Sequence, residues 1–503
     1  MLFTLINLGF GLYAKHLGVT GTDQLMWVSP ASDGNFVLAG SIYSSASSST
    51  RGALVKVSQA GEYLWGYDYG RTQAGSINIL WHVFQTSDGG YFACGESNSD
   101  CWRVRTNPSG VPVGFTMTFG GASTDIATAG AELIEGNDTN FVIAGFTYSF
   151  GAGSGDILVF KINSMGDLAY WAERIGGTGS DYCYSMVKTT DGGFALCGST
   201  EGSYIGGGDL LVVKLLANGS VQWAKAFGGT SPDEGDCIIQ TQDGGYAVAG
   251  FTWSWGAGGG DILVAKLSST GNPLWARVIG GPGWDGAYSI YQTGDGGFIV
   301  GGRTNSFSAS DDGILLKLSS DGDLEWAALF GGNQSDHIKS AYHSGPGYFA
   351  GGTTQSYGFG GSYDWFYIRV GPGGEYPSCV SNCNPSVSAV SLNQMTLSWS
   401  PVAVSTTLSG PSMSILPQGY LPEDVCTPVE VGECAISHSS LSCSPTAGGL
   451  IFFSTLNAEL NLYAPDGRLL HSRQLQKGEN RIPLGQGVYL WQAGPYRGKA
   501  VVR

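Results

Sequence analysis

Five aromatic residues, Phe150, Tyr204, Trp255, Phe307 and Tyr357, recur in glycine-rich stretches such as SFGAGSGD, SYIGGGD and SWGAGGGD, close to aspartates. An aromatic face stacks on the apolar face of a sugar while a carboxylate accepts from its hydroxyls, so these residues form a candidate ligand-binding face. The competing account gives the aspartates to local turns and the rings to strand edges. The pattern recurs almost unit by unit, which favours scaffolding, because a unique site breaks symmetry. Symmetry breaks at Asn98, Asp100, Cys101 and Trp102, in a shortened loop, and at His337 beside Asp336. Neither completes a recognised catalytic constellation.

Other chemistries find less support. The six histidines, His16, His82, His337, His343, His438 and His471, scatter too widely to nominate a Ser/His/Asp or metal triad. No CxxC pair or His/Cys cluster has zinc-like spacing, so no metal ligand and no cofactor is expected. The glycine-rich loops lack the GK[ST] ending of a phosphate-binding loop. Forty acidic against 24 basic residues give a net charge of −16, which disfavours nucleic acid as a partner. Ten cysteines suit an oxidising compartment. Cys379, Cys383, Cys426, Cys434 and Cys443 fall in a Pro/Ser/Thr-rich segment where disulfide staples would fit. Cys94 and Cys197 take a slot filled elsewhere by Ala39, Ala144, Ala249, Gly301 and Gly351, and read as small buried residues.

The elements that position these residues are written as a repeat. Phe36, Tyr91, Phe141, Phe194, Tyr246, Phe298 and Tyr348 each follow a turn, written Asp-Gly-Gly in four copies, at intervals of 50 to 55 residues. A second anchor is an aromatic five positions before a glycine: Tyr13, Trp65, Phe115, Trp171, Trp223, Trp275 and Trp326. An aspartate follows that glycine in every copy but the second. A third is Asp-x4-Lys/Arg, from Asp100, Asp156, Asp209, Asp261, Asp312 and Asp364. Four short strand-like runs per unit, as in CIIQTQ, YAVAGFT, ILVAKL and PLWARVIG, make each unit a propeller blade. The expected fold is all-β: a seven-bladed β-propeller of four-stranded blades over residues 12–371. The first fourth-strand motif, LYAKHLG, precedes the first complete blade, and the last blade lacks one after DWFYIRV. The N-terminal strand is therefore expected to close the ring. The recurrent tryptophans read as blade-to-blade packing.

The apolar start, MLFTLINLGFGLYA, suits a signal peptide over residues 1–11, although no Lys or Arg precedes it; no stretch suits a transmembrane helix. Residues 372–449 read as a Pro/Ser/Thr/Cys-rich linker or small stapled module, in which NQMTLSWSPVAV could pair with itself. Residues 450–503 alternate as strands with turns at PDG, KGEN and GQG, the pattern of a small antiparallel β-sandwich. The succession LNLYAPDGRLL, KGEN, IPLGQGVYLW and GKAVVR resembles the type A C-terminal sorting domain of the bacterial type IX secretion system. Gly467, Arg468, Gly487, Tyr489, Gly498 and Lys499 match its motif positions. The resemblance covers about the last 50 residues. It implies export through the periplasm, the translocon as partner, and a secreted or outer-membrane surface location. The repeats likewise resemble Gly/Asp/Trp propeller repeats of secreted proteins that bear such tails. The expected function is a non-enzymatic binding or structural scaffold with a glycan or protein ligand on the loop face. The alternative is a secreted glycan-active or other hydrolytic propeller.

Overall fold

The computed structural model describes residues 13–18, 21–114, 117–151, 154–166, 169–201, 206–357 and 362–374, and short segments between 380 and 502. The segment 1–11 lies outside the described residues. Every described element is a strand, and no described helix is long and apolar enough to cross a membrane.

Six sheets each hold four consecutive strands, innermost to outermost, and blade 5 is representative: Asp233–Gln240, Tyr246–Thr252, Asp261–Leu267 and Pro273–Gly280. Second and third strands are apolar on both faces because each blade is sandwiched between two others; Phe194–Thr200 and Asp209–Leu215 are buried throughout. Blade 7 consists of Asp336–Ser344, Gly347–Thr354 and Asp364–Val370, completed by Tyr13–Leu17 as the outermost strand. That N-terminal strand pairs antiparallel in a register that sets Tyr13 opposite Arg369, as Trp326 stands opposite Lys317 in blade 6. The expected closure is thus observed. Tyr13 and Ala14, the end of the apolar start, belong to the ring.

The described fourth-strand rings pack forward onto the next blade, and Phe115 lies outside the described residues. Trp65, Trp171, Trp223, Trp275 and Trp326 lie on Gly110, Gly219, Gly271, Gly322 and Gly374, which sit after the third strand of the following blade. These glycines have φ between +73° and +87°, a conformation glycine enters without steric cost, and an added Cβ would meet the indole. At Gly166 the guanidinium of Arg103 takes this position.

Carboxylates mark the blade junctions. A Cβ on Gly280 would stand 2.1 Å from Asp261 Oδ1 and 2.5 Å from Asp285 Oδ2, so a third-strand and a first-strand aspartate of adjacent blades meet over a bare backbone. The junction of blades 1 and 2 exchanges both members. Arg51 takes the third-strand place and bonds Asp68 at 2.8 Å, and Asn78 takes the first-strand place and donates to Thr50 O at 2.8 Å. This accounts for the one copy without its aspartate.

The expected linker is corrected over 380–417. Val380–Asn382, Ser386–Ala389, Asn393–Leu397, Val402–Ala403, Thr407–Ser409 and Ser414–Pro417 add a fifth, antiparallel strand to the outer edges of blades 6, 5, 4, 3, 2 and 1 in turn. Asn393–Leu397 and Val402–Ala403 therefore pair with blades 4 and 3, not with each other. The chain returns around the ring as a girdle, covering edges that would otherwise offer unpaired backbone groups. Beyond it, described strands between 441 and 502 form one three-stranded and one four-stranded antiparallel sheet. Gly467 and Arg468 lie outside the described residues. Gly487 and Tyr489 lie on a strand paired with the one that carries Gly498 and Lys499.

Candidate ligand-binding channel

The first strand of each blade begins at its junction residue. Asp285 accepts from Thr304 Oγ1, from Gly281 N at 2.8 Å and from Ser306 Oγ at 2.7 Å. Asp125, Asp233 and Asp336 are held the same way, each tying its own strand to the second strand and to the loop that enters the blade. These aspartates are turn-holding groups, the scaffold account of the recurring carboxylates.

Three residues further on, every first strand carries a bulge. Pairing with the second strand skips Met26, Trp81, Thr128, Tyr184, Asp236, Tyr288 and Lys339 in blades 1 to 7. A bulge removes one residue from the ladder and re-aims its side chain. All seven line one cavity of about 300 Å³ at the centre of the ring, together with Trp27, His82, Phe146 and Glu234. Because these positions lie near the starts of the first strands, the cavity opens towards the glycine-rich loops. That rim is uneven: Asn98 and Ser99 alone join second to third strand in blade 2, both at positive φ, where blade 5 uses residues 253–260.

The lining is asymmetric in chemistry. On one side Phe146, Tyr182 and Tyr184 group with Tyr148, whose hydroxyl meets that of Tyr182 at 2.9 Å; the Phe146 and Tyr182 ring centroids are 5.2 Å apart. On the other, blade 5 contributes Glu234 and Asp236 from the run DEGD, and blade 7 contributes Lys339. Burial pushes the Glu234 carboxyl up to about 7. Asp236 is pushed well above the carboxylate range by burial and by the Glu234 charge, against the pull of Lys339. Lys339 is lowered to about 8 by burial, with Arg303 adding and Asp236 opposing. Its ammonium lies 3.7 Å from the ring centroid of Tyr288. Above it, Arg303 stacks 4.1 Å from Trp284 and contacts Asp311 at 3.3 Å, and His337 Nε2 stands 4.0 Å from the same carboxylate. Burial, then Lys339 and Arg303, lower His337 to about 3, so it is neutral.

The loop aromatics lie elsewhere. The rings of Phe150, Trp255 and Phe307 sit 3.0 to 3.2 Å from where a Cβ on Gly121, Gly229 and Gly281 would be. Tyr357 donates to Gly331 O at 2.7 Å. Each covers the turn between two blades; they are not brought together, and none lines the channel. Tyr204 lies outside the described residues. Of the symmetry breaks, Cys101 and Trp102 are buried, and Asp100 faces Asp125 across Gly120. His337 joins the channel cluster. Cys94 and Cys197 are buried thiols pushed far up by desolvation, as small core residues would be. The channel residues were missed because they differ from blade to blade. That was itself the available signal: Met, Trp, Thr, Tyr, Asp, Tyr and Lys at one fixed offset from a repeated anchor.

No known protein family and no curated protein matches the sequence. Among solved structures, a protein of unknown function from Bacteroides caccae is 12% identical, with a TM-score of 0.34, covering 54% of this chain and 92% of its own. PorZ, a surface component of the type-IX secretion system of Porphyromonas gingivalis, is 11% identical with a TM-score of 0.38; the match spans 95% of this chain and 59% of PorZ. A GH43_12 protein from a capybara gut metagenome is 9% identical with a TM-score of 0.27, covering 73% of this chain and 84% of its own. At that overlap they are distant likenesses, and the fold and the channel stand on the geometry of this chain.

Proposed function

We propose that this chain is a secreted or cell-surface, non-enzymatic propeller that binds a ligand at the mouth of its central channel and is delivered by its C-terminal segment. The observation that carries the binding role is the ring of seven bulged side chains, where a repeated backbone presents a non-repeated surface. Delivery rests on the sorting-domain resemblance over residues 450–503, read as a small β-sandwich recognised by the type IX translocon. The loop aromatics Phe150, Trp255, Phe307 and Tyr357 remain a second candidate surface on the same face.

A hydrolytic role draws on one observation, the paired carboxyls of Glu234 and Asp236 with raised pKa. Both project from one strand, two residues and about 7 Å apart along it. Glycoside hydrolysis needs two carboxylates that flank the scissile bond from opposite sides. One shared wall supports binding better than bond cleavage.

Thermal-shift screening of the full chain against glycans and small metabolites tests the binding role. A hit lost in Trp81→Ala places the ligand in the channel; one lost only in Trp255→Ala or Tyr357→Ala moves it to the loops. Turnover of a bound glycan, abolished by Glu234→Gln, would replace the non-enzymatic reading. Deleting residues 450–503 should retain the propeller in the periplasm, and surface delivery of that truncation would remove the sorting role.

A further inference from the structure

Three ionisable groups, Glu234, Asp236 and Lys339, line the channel without forming an ion pair. Asp236 Oδ2 is buried with no hydrogen bond. Among the described residues, no ion pair joins Glu234, Asp236 or Lys339 to any group. The Lys339 ammonium rests on the Tyr288 ring instead. A buried polar oxygen without a partner is costly, so a site that keeps two carboxyls and one ammonium in this state is incomplete without its occupant.

We propose that the channel binds a small zwitterion of the free amino acid class, its ammonium held by Glu234 and Asp236, its carboxylate by Lys339, and its side chain against Tyr184 and Trp81. This rests on the channel being the ligand site. A simple amine would leave Lys339 unpaired and repelled, and a simple acid would leave the Glu234 carboxyl without a cation. A neutral sugar would supply hydroxyls but no counter-charge. A divalent cation asks for six or more oxygen ligands, and no described cluster of three His, Cys, Asp or Glu side chains is arranged to hold a metal. The cavity of about 300 Å³ is at the small end of ligand pockets, and its aromatic walls suit an apolar side chain.

The proposal predicts a bell-shaped pH dependence. Glu234 must be ionised and Lys339 protonated, so affinity rises as pH increases through about 7 and falls above about 8. The groups that act on this pair are Asp236 on the same strand, Tyr184 on blade 4, Tyr288 and Arg303 on blade 6, and His337 on blade 7, with Asp311 behind Arg303.

Isothermal titration of the full chain with L-leucine and L-phenylalanine, their decarboxylated amines isopentylamine and phenethylamine, the amine-free acids isocaproate and hydrocinnamate, and glucose tests it. The amino acids should bind at least tenfold more tightly than either singly charged set and release protons on binding at pH 6.5. Lys339→Met should weaken the amino acids at least tenfold and strengthen the amines; Glu234→Gln should do the reverse for the acids. Both variants are checked by thermal melting, and if either fails to fold, the ligand comparison and proton release in the parent decide. Amines binding as tightly as the amino acids, or glucose alone binding, would overturn the zwitterion and leave channel binding standing. No binding by any of these, with a ligand mapped to the loop aromatics, would overturn both.

Discussion

The ring of Tyr13 lies across Gly61, where a Cβ would stand 2.7 Å from it, and its hydroxyl donates to Gln59 O at 3.1 Å. Tyr13 is the fourth-strand aromatic of blade 7 and Gly61 the turn glycine of blade 1, so this contact is the ring's closure. Tyr13→Ala should lower stability by about 3 kcal/mol in urea melts, whereas Tyr13→Trp, the residue used in five other blades, should be tolerated. Unchanged melting of the alanine variant would mean that the ring is held shut elsewhere.

Gly280 should resist any side chain. Alanine there would collide with Asp261 and Asp285, and a cost of about 1–3 kcal/mol is expected for such overpacking. Adding Asp261→Ala should recover part of it, a non-additivity read from a double-mutant cycle. Simple additivity of the two substitutions would show that the carboxylate is not the obstacle.

The same junctions carry a pH signature. Burial, reinforced by Asp285, raises Asp261 to about 6; burial also raises Asp312 to about 6, with Asp336 and Asp311 adding. A carboxyl raised in the folded state binds its proton more tightly there than in the unfolded chain. Its stabilising contribution is complete below about pH 4 and is lost as pH rises through about 6. His82 and His337, lowered by burial to about 4 and 3, act in the opposite sense over the same range. The informative quantity is therefore the difference between the parent and Asp261→Asn. The parent should lose stability relative to the variant between pH 4 and 6 and track it above pH 7. A difference that is flat with pH would remove the raised pKa.

The girdle should protect blade edges one by one. In a chain ending at residue 374, amide hydrogen exchange in the fourth strands of blades 1 to 6, such as Val221–Gly228, should be faster than in a chain ending at 417. Exchange in Tyr13–Leu17 should not change. Equal protection in the two chains would leave the added strands without an energetic role.

Blade number, strand order and closure were legible because they rest on local signals repeated in one phase: a turn, an aromatic five residues before a glycine, an aspartate opening a strand. Even the missing copy carried information, since Arg51 and Asn78 change together at one junction. The girdle was not legible. Its strands hold two to five residues each and their partners lie 50 to 350 residues away, so neither alternation nor spacing marks them. The channel was hidden differently. Asp236 and Lys339 are ordinary charged residues in sequence, and only a bulge repeated in seven strands turns them inward.

The girdle also determines how the molecule would respond to a pull. Its last strand, Ser414–Pro417, is the one nearest the C-terminal segment and holds to blade 1; the earlier ones follow to blade 6. Tension on the tail would load one short pair at a time and peel them in that order, before it reached Asp364–Val370 in blade 7. The released chain between Gly374 and Pro417 would extend to roughly 150 Å. Under such a pull the girdle would yield first and lengthen the chain with every blade still folded.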